Sequence, residues 1–215
     1  MKKTFTVLVL AALFASAAHA QPGGRIKLGA GIGFTEYANG KFSGKSMSIG
    51  PEYHVGLTSS GNRQGLSFGL KGGFGYSHPD RSDFIAGTRT PTGSLRVLSV
   101  MAGAGPTYRT GPLSIGAAVV AGPSFNKFSV DDAMRAAYRD HFGATLNSIN
   151  VKHSVAVRSQ LSVWYNLTSR FGLHSSLGYT VNRPTVETTV NGVTSRGHWN
   201  MDRWSHRTGI AFGFF

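Results

Sequence analysis

Along most of this chain, large apolar side chains alternate one for one with glycine, small or polar residues. Between Arg25 and Tyr37, Ile26, Leu28, Ala30, Ile32 and Phe34 interleave with Lys27, Gly29, Gly31, Gly33 and Thr35. A period of two places successive side chains on opposite faces of an extended strand. The same period predicts strands over about Ser46–Thr58, Leu66–Ser77, Leu95–Arg109, Leu113–Phe125, Val151–Leu167 and Phe171–Val181. The last twelve residues, Trp204 to Phe215, supply the eighth; there Thr208, Ile210, Phe212 and Phe214 oppose Gly209, Ala211 and Gly213. In Leu95–Arg109 the outward set is read as Leu98, Val100, Ala102, Ala104 and Tyr108.

The connections alternate as well. Ser59–Gln64, Thr110–Pro112 and Thr168–Arg170 are short, whereas His78–Gly93, Asn126–Asn150 and Asn182–Arg203 are long, and the first connection, Ala38–Lys45, is intermediate. Strands greasy on one face and small or polar on the other, joined by alternating short and long connections, predict an all-β fold. That fold is a transmembrane eight-stranded antiparallel up-and-down β-barrel, short turns at the periplasmic end and long loops outside. Its outer aromatic belt would hold Tyr37, Tyr76, Phe125, Tyr179 and Trp204, and its inner belt Tyr108, Tyr165, Phe171 and Phe214. A short helix over 130–142, in the third extracellular loop, follows from Ser129-Val130-Asp131-Asp132 ahead of Ala133, Met134, Ala137, Tyr138 and Phe142 at helical spacing. Gly50-Pro51, Gly105-Pro106 and Gly122-Pro123 recur within strands; proline cannot donate to a ladder, so each is expected at a bulge or a strand end.

The N-terminus adds an address. Lys2 and Lys3, the apolar run Val7–Phe14 and the Ala18-His19-Ala20 cleavage site read as a signal peptide over residues 1–20, leaving a barrel domain over 21–215. No later segment has the ~20 consecutive apolar residues of a membrane helix, so any span must be made of strands. With no cysteine, disulfides and thiolate chemistry are excluded. Without Lys2 and Lys3 the chain keeps 20 basic against 9 acidic residues, about +11, which suits an anionic lipid or glycan surface better than nucleic acid for an exported protein.

The signal peptide, the Gly-rich alternating strands, the Gly-Pro-x-aromatic units and the terminal aromatic Phe215 resemble the small eight-stranded outer-membrane barrel family that includes the outer-membrane protein A and X types. That resemblance implies a monomer in the cell outer membrane of a Gram-negative envelope. It also implies that the C-terminal strand, Trp204 to Phe215, engages the barrel-assembly machinery, and it implies no cofactor.

Candidate chemistry is sparse. The inward positions carry Lys27, Glu52, His54, Lys71, Arg158, Gln160, His174 and Arg207, and an eight-stranded interior has room for little besides side chains. These groups are expected to pair with one another or with trapped water as a polar network that closes the lumen, with a proton or ion path as the alternative. His174-x-Ser176, with Glu187 downstream, resembles the His-x-Ser of lipid A deacylases and gives an enzymatic alternative, although Leu177 departs from that pattern. A secreted soluble ligand-binding β-domain is a second alternative; it would need an apolar inward face. The histidines show no metal-ligand spacing. On the outer loops Arg183, Arg196 and Arg203 are the residues expected to contact lipopolysaccharide phosphates, with Arg81, Arg89, Lys127, Arg135, Arg139 and His198 adding positive charge and adhesion to an anionic surface as the alternative.

Overall fold

The computed structural model describes residues 26–38, 40–43, 52–56, 64–168 and 170–214. The signal peptide, Pro51, Phe215 and most of the predicted second strand lie outside them. In chain order the elements are β1 (Ile26–Tyr37), β2 (Phe42–Ser43), β3 (Glu52–Gly56), β4 (Gly65–Ser77), β5 (Asp80–Ile85), β6 (Thr88–Thr110) and β7 (Leu113–Val130). Then come α1 (Asp132–Phe142), β8 (Leu146–Val151), β9 (Ser154–Asn166), β10 (Phe171–Asn182), β11 (Thr185–Val190), β12 (Val193–His198) and β13 (Arg203–Phe214).

Eight of these strands form the wall. Every neighbour is antiparallel, and the pairings run β1–β3–β4–β6–β7–β9–β10–β13 and back to β1. Each wall strand thus has a neighbour on both sides, which removes the aggregation hazard of an open sheet. Alternation along each strand sorts side chains by chemistry. Leu66, Phe68, Leu70, Ile115, Val155, Leu161, Val163, Leu173, Leu177 and Ile210 are exposed on the outer wall, Leu66 to 76%. In water each such side chain would forgo a part, set by its exposure, of the about 1.5–3 kcal/mol that full burial gives, whereas in hydrocarbon it is solvated. Lys71, Arg158, Gln160, Ser162, His174 and Ser176 alternate with them and are buried.

The belts follow the same parity. Tyr76, Phe125 and Trp204 are exposed at the outer end, with Trp204 packed on Tyr179 at 4.9 Å. Tyr108, Tyr165 and Phe171 are exposed at the inner end. Tyr37 departs from the expected outer belt: it shares parity with inward Gly33 and Thr35, so its ring turns in and packs on Phe42 at 5.1 Å.

Two expectations about the backbone are corrected. Pro106 and Pro123 cause no bulge, because the β6/β7 register runs unshifted from Gly93↔Val130 to Thr110↔Leu113. The ladder instead skips the pairs at both prolines on that seam, while Pro106↔Phe68 and Pro123↔Val155 hold on the other sides. Both missing N–H groups therefore fall on one seam.

The long connections are not loops. β6 runs for 23 residues and β7 for 18, about twice the 9 to 11 needed for a span, so both project well beyond the membrane. β5 folds back on β6 through Ala86-Gly87, and β11 on β12 through Asn191-Gly192, two-residue turns with positive φ at both positions. β8, β11 and β12 form a separate three-stranded sheet. The helix starts where Asp131 caps it, its Oδ1 accepting from Ala133 N at 2.8 Å, and ends at left-handed Gly143. Phe142 is exposed and does not join its buried face, which is carried by Met134.

These pieces share a core. Leu95, Val97, Met134, Ile149, Val151, Val186 and Met201 are buried together, with Phe128 and Trp199 packed against them. A barrel interior filled with polar groups cannot supply a hydrophobic core, so the chain builds one above the mouth, in a cap that faces water on its outside.

Candidate functional site: lumen and outer rim

The lumen is built from the inward-facing residues of the wall. Near its periplasmic end Trp164, on β9, packs tilted against His174, on β10, with ring centroids 4.2 Å apart, and both are buried. At mid-height the Lys71 ammonium donates to Ser162 Oγ at 3.3 Å and reaches the Ala117 carbonyl at 3.5 Å. Toward the mouth Arg158, Gln160, Arg203 and Arg207 surround a cavity of about 40 Å³. Of the predicted network, the structure thus turns Lys71, Arg158, Gln160, His174 and Arg207 inward. Lys27, Glu52 and His54 sit on wall strands, Lys27 opposite His54 and Glu52 opposite Gly73. The side chains of these three lie outside the described residues.

The expectation that places Arg203 at the lipopolysaccharide-facing rim is corrected. It has the parity of Ser205 and Arg207, is only 8% exposed, and lies with its guanidinium 5.7 Å from the Tyr37 ring. Arg81, counted with the loop charges, is also buried. Its guanidinium lies 3.9 Å from the Trp199 ring and holds Asp83 through two hydrogen bonds of 2.8 and 2.9 Å, so it is part of the cap core.

A second polar group escaped the sequence reading. At the neck between barrel and cap, Asn126 Nδ2 donates to Ser154 Oγ at 3.3 Å and Ser154 Oγ to Asn182 Oδ1 at 2.7 Å. Asn182 Nδ2 donates to Ser124 Oγ at 3.2 Å, and Ser124 Oγ returns to Asn126 Oδ1 at 3.2 Å. This closed ring ties β7, β9 and β10 together. Asp202 fastens it to the last strand by accepting from Asn182 N at 3.0 Å and from Arg183 at 3.2 Å. Buried Asn and Ser at strand ends, in phase with the inward set, are the signal that would have found it.

Outside, Arg183 and Arg196 are exposed as expected, yet each already has a carboxylate partner: Asp202 at 3.2 Å and Glu187 at 3.1 Å. Glu187 also accepts from Lys152 at 2.7 Å, and that hydrogen bond above all, joined by the charges of Lys152 and Arg196, holds its carboxyl below the usual range against a smaller desolvation effect. A different pair stands without a carboxylate across the ladder: Arg96 and Lys127 lie directly opposite each other on β6 and β7, both exposed on the outer wall. Two residues below them on the same face are Leu98 and Phe125, at the height of the outer belt. Arg96 escaped the sequence reading although it is in phase with Leu98 in the predicted strand.

His174 and Ser176 both point into the lumen and are buried, while Glu187 is on β11 in the cap; the three do not meet. Among the described residues no group of three or more His, Cys, Asp or Glu could hold a metal.

Against known structures the wall is familiar. The outer membrane protein OprG from Pseudomonas aeruginosa matches with a TM-score of 0.67 at 8% identity, over 89% of this chain and 96% of its own. The outer membrane protein AlkL, solved in lipid bilayers, matches with 0.57 at 13%, over 89% and 90%. A major outer membrane protein from Thermus thermophilus matches with 0.55 at 14%, over 90% and 100%. At such identities the likeness shows the fold. No curated protein sequence matches the chain. The family described as outer membrane protein beta-barrel domain matches residues 5–151, more than half of the chain. With a closed ring of strands that are apolar outside and polar inside, this chain belongs to that family and is an integral β-barrel of the cell outer membrane.

Proposed function

We propose that the protein is a non-catalytic surface barrel whose outer rim binds the phosphate groups of lipopolysaccharide. The observation that carries this reading is the Arg96–Lys127 pair. Like charges directly opposite on neighbouring strands disfavour the sheet by about 0.2–1 kcal/mol, and an anion bridging them reverses the sign. Their height, just above Leu98 and Phe125, is where phosphate-bearing head groups of the outer leaflet would lie. Arg183 and Arg196 contribute less, because Asp202 and Glu187 already neutralise them in part. Charge reversal at both Arg96 and Lys127 is expected to weaken lipopolysaccharide binding by about tenfold at low salt, roughly 1.4 kcal/mol, and by much less at high salt. Equal binding by the double variant and the wild type at every ionic strength would remove the reading.

The lumen is read as closed. The apolar cap core above and the packed Trp164–His174 pair below support this. So does an eight-stranded circumference, which leaves an interior that side chains fill. Reconstituted in a planar bilayer, the protein should pass no steady porin-scale current; a stable open level would overturn the closed lumen. A lipid A mass shift that disappears in Ser176→Ala would restore the deacylase alternative.

A further inference from the structure

Nine acidic residues serve the whole chain, and they are distributed unevenly. Asp80, Asp83, Asp131, Asp132, Asp140, Glu187 and Asp202 belong to the cap or its junction with the wall, and Glu36 is exposed at the outer end of β1. Glu52 alone among them remains on a spanning strand at an inward position of the alternation. Against it the lumen holds Lys71, Arg158, Arg203 and Arg207. Counting Glu52 in full still leaves an excess of about three positive charges, whatever hydrogen bonds these cations make with neutral groups. Arginine cannot escape by losing a proton. Enclosed net charge is costly, by several kcal/mol per ion, so the lumen has an electrostatic place for an anion.

Three of these cations border the same space. The 40 Å³ cavity near the mouth is lined by Arg158, Arg203 and Arg207. Its opposite wall is β4, where Gly73 and Gly75 have the inward parity of Lys71 and Ser77 and carry no side chain; a Cβ on Gly75 would stand 3.1 Å from Arg207 Nη2. Ser77 and Ser99 also line it. Their hydroxyls and Arg203 Nη1 are buried, belong to residues bordering this space, and have no hydrogen-bond partner among the described protein groups. Donors dominate the setting. The volume holds about three water-sized atoms, enough for chloride; a tetrahedral oxyanion, with four oxygens, fits once the flexible arginine side chains give way slightly. Water would satisfy the hydroxyls and leave the charge; an anion satisfies both, and guanidinium groups suit the oxyanion geometry.

We propose that this cavity is a binding site for a small inorganic anion, taken up as the barrel closes. The site is separate from the outer rim and does not depend on lipopolysaccharide.

The experiment refolds the mature chain in a maltoside detergent free of phosphate and lipopolysaccharide. Phosphate, sulfate or chloride is present at graded concentration, and gluconate, too large for the cavity, is added at matched ionic strength. Unfolding in urea is then measured. A ligand that binds only the folded state stabilises it by a factor of 1 + [L]/Kd, so about a tenfold rise in the folding equilibrium is expected at ten times Kd, saturable for a small anion and absent with gluconate. Arg203→Gln should raise the half-saturating concentration at least tenfold. Ser99→Ala, which leaves every charge in place, should raise it severalfold and serves alone if Arg203→Gln does not fold. Comparing phosphate with chloride identifies which anion is preferred. Equal stabilisation by gluconate, no saturable dependence on any small anion, or an unchanged midpoint in Ser99→Ala would each overturn the site and leave a water-filled cavity.

Discussion

A Gly103→Val chain is expected to fail to form the closed barrel, with destabilisation above about 4 kcal/mol. The reason is the approach of β6 to β7. A Cβ at Gly103 would stand 2.0 Å from the carbonyl oxygen of Val119, and one at Gly105 would stand 2.0 Å from that of Ala117. Backbone on the partner strand cannot swing away as a flexible side chain would. The seam must open, and it already lacks ladder pairs at Pro106 and Pro123. Refolding into detergent, followed by the mobility difference between unheated and boiled samples on a gel, measures the folded fraction. Gly197→Val is the control, since a Cβ there meets nothing within 4 Å and the residue is exposed on β12. It should fold like the wild type. If Gly103→Val also folded like the wild type, the tight β6/β7 approach would be wrong.

The second large effect is expected in the cap. Trp199 packs edge-on against Phe128 at 5.0 Å and Phe42 at 5.8 Å, with the Arg81 guanidinium over its ring. Removing a large aromatic from such a cluster costs about 3–5 kcal/mol. In Trp199→Ala the cost should fall on the cap alone, because the wall is held by its own closed ladder. Limited proteolysis should cut at α1 and at the Asn191-Gly192 turn much faster than in the wild type, while the barrel band keeps its folded mobility. Arg81→Lys keeps a charge beside Asp83 but loses the planar stack, and should give an intermediate rate. Simultaneous loss of cap and barrel would show that the two are one cooperative unit.

Those two tests fall on opposite sides of what the amino-acid sequence makes legible. Period-two alternation located the wall strands because lipid outside and packed polar groups inside impose opposite chemistry on successive residues. Even Tyr37 and Arg203 are in phase with the inward set; an aromatic and a cation suit a rim by residue type, but parity decides which way they face. Proximity was not legible. Neither the number of glycines nor their spacing says which of them face a carbonyl, since that depends on how two strands approach each other in space. The cap was half legible. Asn191-Gly192 is a strong hairpin signal between Val190 and Val193, but Ala86-Gly87 is a weak one, and the apolar residues of the cap are split among several connections. Their common core appears only when the ring of strands brings those connections to one end. Of the polar site, inward parity named Arg158 and Arg207; their convergence on one cavity depends on how β4, β9 and β13 are placed around the ring.

The β1/β13 ladder has a consequence in time. It pairs Ile26 with Phe214 and continues for twelve residues to Tyr37 with Arg203, joining segments almost the whole chain apart. Contacts of such sequence separation form late, because the loop-closure entropy is lost before they contribute anything. Until the final strand arrives, β1 presents an open row of backbone donors and acceptors, and the interior cations lack their enclosure. Closure is therefore the committing step of assembly, and the most vulnerable species on the way is a nearly complete sheet waiting on its last strand.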